Sequence, residues 1–159
     1  MSFFPMPHLN LYVCEIEIAG QSISSYTAMT LGTILRDTGG QITISGTTDI
    51  VIPANCEAFI RANVVSDSAT SSDSSTTSFF TNTTGSSLAN QAFAQVICRA
   101  NGGQWFTGME IFQLIFSSGS AQTIQLRANQ STSFPIAIPY NSASAHIPNS
   151  TITIMYTGA

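Results

Sequence analysis

Leu11-Tyr12-Val13-Cys14-Glu15-Ile16-Glu17-Ile18 decides the fold class. Tyr12, Cys14, Ile16 and Ile18 alternate with Leu11, Val13, Glu15 and Glu17, a period of two that reads as a strand with one buried face. The same period runs outward along the chain. Ile42 and Ile44 lead into a Gly46-Thr47-Thr48-Asp49 turn and are answered by Ile50 and Ile52, a hairpin pattern. Ala58, Ile60, Ala62 and Val64 alternate with Phe59, Arg61, Asn63 and Val65, and Ala92, Ala94, Val96 and Cys98 share one phase of a later segment. Residues 109–116, MEIFQLIF, are apolar enough to be a strand buried on both faces, with a short helix over 104–116 as the competing reading. Further strands fit 121–127, 133–138 and 150–156. The count is eight to ten short antiparallel strands separated by Gly, Asn, Ser and Pro turns, which predicts an all-β jelly-roll β-sandwich. No repeat, heptad or linker divides it, so residues 9–159 read as one domain behind an N-terminal arm at 1–8.

Charge is the unusual quantity. Only 8% of the 159 residues are Asp, Glu, Lys or Arg, against roughly 25% in an average soluble protein. There is no lysine, and the four cations are Arg36, Arg61, Arg99 and Arg127. A chain so poor in charge either covers much of its exterior with neighbouring subunits or coats it in hydroxyls and amides. The net charge of −4 argues against nucleic acid, whose phosphates call for clustered cations. No apolar run approaches the roughly 20 residues that span a bilayer, and MSFFPMPHLN lacks the basic-then-apolar order of a secretory signal. Cys14, Cys56 and Cys98 are odd in number and match no metal spacing; they read as small buried hydrophobes. Sequons at Asn82, Asn129 and Asn149 reflect the richness in Ser, Thr and Asn.

A catalytic reading finds little to stand on, and the expectation is that the chain is not an enzyme and takes no cofactor or metal. Gly-x-Ser-x-Gly is absent. His8 and His146 have no second histidine or carboxylate at ligand spacing. Glu15 and Glu17 share one strand face, which fits a metal or acid–base pair but fits a solvated face better. Asp67 and Asp73 lack the ordered acidic pattern of a calcium loop. Without lysine, Schiff-base and Walker-type phosphate chemistry are closed, and Gly39-Gly40 and Gly102-Gly103 read as turns.

Two segments read as binding elements instead. Residues 66–90 form a long polar tract without core-forming period, which reads as a functional loop. Within it Phe79 and Phe80 are an apolar pair in a polar frame, either an interaction site or an anchor tucked back onto the domain. In the arm, Phe3, Phe4 and Met6 lie among Pro5 and Pro7, which keep the chain extended. That arm suits a groove on a partner, or alternatively a first edge strand over its own core.

Residues 39–65, GGQITISGTTDIVIPANCEAFIRANVV, carry a cadence of turn, short strand, apolar-Ile-Pro and a strand of the Phe-Ile-x-Ala type. With TIQLRANQSTSFPIAI at 123–138 and PNSTITIMYTGA at 148–159, the chain resembles the trimeric jelly-roll heads related to tumour necrosis factor and the complement globular head. It departs from them where Gly-x-Tyr is replaced by Asn55-Cys56-Glu57-Ala58-Phe59, and Leu-x-Ala-Gly-Asp by Leu126-Arg127-Ala128-Asn129-Gln130. The resemblance implies a homotrimer burying apolar strand faces about a three-fold axis, with loops at one end meeting a partner. Such heads occur at phage fibre tips, spikes and capsid surfaces. The expected role is therefore a structural virion protein of a bacteriophage, decorating a capsid or ending a fibre, with other virion proteins as partners and a host surface glycan as a further one. The alternative is a carbohydrate-binding adhesion module on a cell surface.

Overall fold

A computed structural model describes residues 10–23, 26–68, 74–89, 94–98, 105–130, 134–136 and 150–157. Every regular element among them is a strand: β1 (Leu11–Ile18), β2 (Gln21–Ile23), β3 (Thr27–Ala28), β4 (Leu31–Asp37), β5 (Thr43–Ser45), β6 (Asp49–Ile52), β7 (Cys56–Ser68), β8 (Ser74–Asn82), β9 (Ala94–Cys98), β10 (Trp105–Ser117), β11 (Gln122–Gln130), β12 (Phe134–Ile136) and β13 (Thr151–Thr157). The helix reading of 104–116 gives way to β10, and thirteen strands replace the expected eight to ten because several pieces are only two or three residues long.

Two antiparallel sheets face each other. The seven-stranded sheet runs β2-β12-β7-β13-β1-β4, with β10 on the free side of β7. The six-stranded sheet runs β5-β6-β11-β8-β9, with β3 on β11. Both place strands distant in sequence side by side, as β1 and β13 do in pairing Leu11 with Thr157 and Glu17 with Thr151. The expected hairpin is present: Thr43, Ile44 and Ser45 face Val51, Ile50 and Asp49.

The alternation read from sequence fixes which face is inward. Cys14, Ile16 and Ile18 of β1, Ile60 and Ala62 of β7, Ile152, Ile154 and Tyr156 of β13, and Ile50, Ile52, Ile124 and Leu126 of the opposing sheet are all buried in one core. Burying a side chain of this size contributes roughly 1.5–3 kcal/mol, which offsets the entropy of ordering these strands.

Two expectations are corrected. The tract 66–90 is not one long loop: β7 continues to Ser68, and Ser74–Asn82 forms β8, paired with both β11 and β9. Residues 109–116 are not buried on both faces of the chain. Met109, Ile111, Gln113 and Ile115 face the core, whereas Phe112, Leu114 and Phe116 are exposed.

Candidate functional site, an exposed apolar sheet face

The outward face of the seven-stranded sheet is built from register. β10 and β7 pair Phe112 with Arg61, Leu114 with Phe59, and Phe116 with Glu57. β7 and β13 pair Phe59 with Met155, and β13 and β1 pair Met155 with Val13 and Thr157 with Leu11. Side chains of one phase stand on one face, so Leu114, Phe59, Met155 and Val13 form a continuous apolar row across four strands. Phe112 lies on one side of that row and Phe116 and Leu11 on the other. Phe59 and Phe112 stack with centroids 5.7 Å apart. Leu11 is 64% exposed, Phe116 57% and Leu114 44%, a grouping that monomers seldom leave bare.

A shallow hollow of about 340 Å³ sinks into this patch, lined by Leu11, Glu57, Phe59, Leu114, Phe116, Met155 and Thr157 among others. Its floor is held at one end by two turns. Asn55 adopts the left-handed region at φ 54, and its Oδ1 accepts from the Gly119 amide at 3.0 Å. The Ser117 hydroxyl accepts from the Cys56 amide at 3.1 Å and donates to the Pro53 carbonyl. The Glu57 amide donates to the Thr157 hydroxyl at 3.0 Å. Away from the hollow the same face turns polar. Glu110 faces Asn63, Asn63 faces Thr151, and Thr151 faces Glu17. Arg61 forms an ion pair with Glu110 there.

None of the described residues singled out from sequence lines this hollow. Phe3, Phe4 and Met6 lie outside the described residues, as do His8, Asp73 and His146; Asp67 is described only in its backbone. Phe80 points into the core and is fully buried, so its reading as a partner-binding residue is corrected: adjacent strand residues face opposite sides. Phe79 is half-buried on the outer face of the six-stranded sheet, 5.4 Å from the Tyr26 ring. The Arg127 guanidinium sits 5.1 Å over Tyr26, whose hydroxyl donates to the Gly85 carbonyl at 2.5 Å. Arg127 also donates to Gln125 Oε1 at 2.7 Å, and Gln125 donates to Asp49 at 2.6 Å.

Sequence reasoning passed over Leu11, Phe59, Phe112, Leu114, Phe116 and Met155. The signal is in MEIFQLIF, apolar in both phases, of which the single chain leaves the outward one exposed. Glu15 and Glu17 are half-buried on the polar half of this face; Glu15 pairs in register with Arg36, and Glu17 lies over Gly32. Cys14 and Cys56 are free and buried. Burial pushes the Cys14 thiol up to about 12, with help from the Asp37 and Glu15 charges, and burial together with Glu57 raises Cys56. Among the described residues no group of three His, Cys, Asp or Glu side chains could hold a metal ion.

No protein-family model matches the chain, and no curated protein matches it in sequence. Solved structures do. The crystal structure of murine APRIL at pH 5.0 superposes with a TM-score of 0.56 at 6% identity, over 92% of this chain and 98% of that one. Murine APRIL at pH 8.0 gives 0.50 at 7% identity with the same coverage. The likeness is one of fold, and it is to jelly rolls of the tumour-necrosis-factor type.

Proposed function

We propose that the chain is a self-assembling head: a homotrimer whose copies cover one another's exposed sheet face, serving as a structural virion protein of a bacteriophage on a capsid surface or at a fibre tip. One observation carries the assembly. β10 is apolar in both phases, yet the single chain buries only one of them, leaving Phe112, Leu114 and Phe116 beside Phe59, Met155 and Leu11. Another copy is the simplest cover, because in a closed ring each copy's face meets a second surface of the next copy and every face is covered. The low charge supports the same reading, since a surface meant to be covered has no call for ions. Buried free thiols suit a protein made and kept in a reducing compartment before assembly.

Light scattering on the purified chain tests the assembly. The expected mass is three times the 16.9 kDa of the chain; a monomer at high concentration would remove the reading. The virion role is tested separately by mass spectrometry of purified particles, where the chain should appear in stoichiometric amount.

Glycan adhesion is a second reading, favoured by the Tyr26 cluster. An exposed aromatic ring beside a guanidinium, an amide and a carboxylate resembles the equipment with which proteins hold sugars. Glycan-array binding lost on Tyr26→Ala, with the trimer intact, would support it; no binding by the parent protein would dismiss it.

A further inference from the structure

We infer that the second surface in the ring is the bulged edge of β4: Leu35 of each copy seats in the hollow on the next copy's sheet face, and Arg36 pairs there with Glu57. This rests on assembly through that face, and it names what covers it. β4 ends the seven-stranded sheet. Its ladder to β1 pairs Arg36 with Glu15 and Ile34 with Ile16, so Leu35 is an inserted residue and two side chains oppose Glu15. Both are exposed, Leu35 to 54%.

Elimination and charge single out this edge. Among the described residues, the exposed large apolar side chains outside the patch are Leu35 and Tyr26. Tyr26 is engaged, bonded to Gly85, packed on Phe79 and covered by the Arg127 guanidinium. Arg61 is held by Glu110 and Arg127 by Gln125, whereas Arg36 makes no ion pair among the described residues. The hollow offers the complement. Its lining is apolar apart from Glu57 and Thr157, and Glu57 also has no ion pair among the described residues. Covering a carboxylate calls for a counter-ion. An arginine supplies one while laying its methylene stem along apolar surface.

The contact has to run between copies. Glu57 lies in β7, three strands from β4, or about 14 Å at ~4.8 Å per strand. Register sets Glu57 level with Leu11 and Arg36 level with Glu15, a further offset of about 13 Å at ~3.3 Å per residue. Both distances are fixed within one sheet, so a copy's own Arg36 does not reach its own Glu57. A bulge at one edge that meets a hollow toward the other is a head-to-tail contact, the kind that closes into a ring.

Charge reversal in the full chain tests this, with light scattering reporting the mass and circular dichroism the fold. Glu57→Arg and Arg36→Glu should each weaken association by roughly tenfold or more, and the two together should restore most of it. Single variants that assemble like a trimeric parent overturn the contact and leave the assembly standing. Weakened single variants with a double variant no better than either also overturn it, since the two charges then do not meet. A folded monomeric parent overturns the assembly reading, and this inference with it. Should a reversal unfold the chain, Leu35→Cys with Leu114→Cys under mild oxidation carries the same test. Links between chains, absent from either single substitution, are then expected, and a trimer without them overturns the contact.

Discussion

The Tyr156 hydroxyl donates a 2.6 Å hydrogen bond to Asp37 Oδ1, tying the last strand to the end of β4 across 119 residues of chain. The carboxylate is used fully: its Oδ2 accepts from the Ile42 amide at 3.0 Å and its Oδ1 from the Gly39 amide at 3.1 Å. The Tyr156 ring is buried, with Tyr12 5.5 Å away. Tyr156→Phe keeps the packing and removes the hydroxyl, which donates to Asp37 and accepts from the Gln41 amide at 3.4 Å, so the expected loss is about 1–3 kcal/mol. Urea unfolding should show a lower midpoint at unchanged slope; an unaltered midpoint would mean that the bond contributes nothing net.

The same carboxylate gives the protein an acid limb. Burial alone raises Asp37, but hydrogen bonds from Tyr156 and from the Ile42, Gly39 and Gly40 amides outweigh it and hold the group below its ordinary 3.8. A depressed folded pKa contributes stability that is present above the unfolded value and is lost as pH falls through the folded one. The stability gap between the parent protein and Tyr156→Phe should therefore be full at neutral pH and shrink below about pH 3.8. A gap that stays constant down to about pH 2 would show that the hydroxyl acts through packing and not through the charge.

Gly39 is required by close approach. A Cβ there would run into the Tyr156 hydroxyl and lie 2.8 Å from Tyr12 Cγ. Gly39→Ala should cost about 1–3 kcal/mol, the range of overpacking in a filled site. In the Tyr156→Phe background the cost should fall, because the most crowded atom is gone. Equal costs in both backgrounds would place the strain elsewhere.

Phe79 and Phe80 should separate cleanly in a thermal melt. Phe80→Ala empties a fully buried position and is expected to cost about 3–5 kcal/mol. Phe79→Ala removes a half-buried ring that packs on Tyr26, and its loss should be well under half of that. Similar melting shifts for the two would contradict the strand alternation of β8.

Much of the sandwich was legible because β1, β6 and β13 keep strict alternation, as β7 does as far as Val64, and a period of two needs nothing but one buried face. β4 and β8 were not. β4 pairs with β1 through register shifts at Glu15/Ile16 and Ile16/Ile18, and an irregular ladder breaks the very period by which a strand is recognised. β8 sets a buried Ser78 beside Phe80 on its inward face and buries Thr81 in the opposite phase, so burial along it follows no apolar period. The apolar site was half legible: the double-phase pattern of MEIFQLIF announces two covered faces, but a single sequence does not say whether the second cover comes from the same chain.

Leu114→Ser with Phe116→Ser asks that question directly. Both side chains are exposed in the single chain, while their neighbours Gln113, Ile115 and Ser117 face inward, so the substitutions leave the core untouched. If the outward phase of β10 is covered by another copy, each lost apolar side chain removes on the order of 1.5–3 kcal/mol per interface from association. Three interfaces then turn a stable trimer into a mostly monomeric protein at micromolar concentration. The circular dichroism spectrum of the isolated chain should remain that of a β-sandwich. Two results would count against this. A variant that stays trimeric places the contact on another surface, and one that loses its β-spectrum shows that the outward phase supports the fold of the single chain.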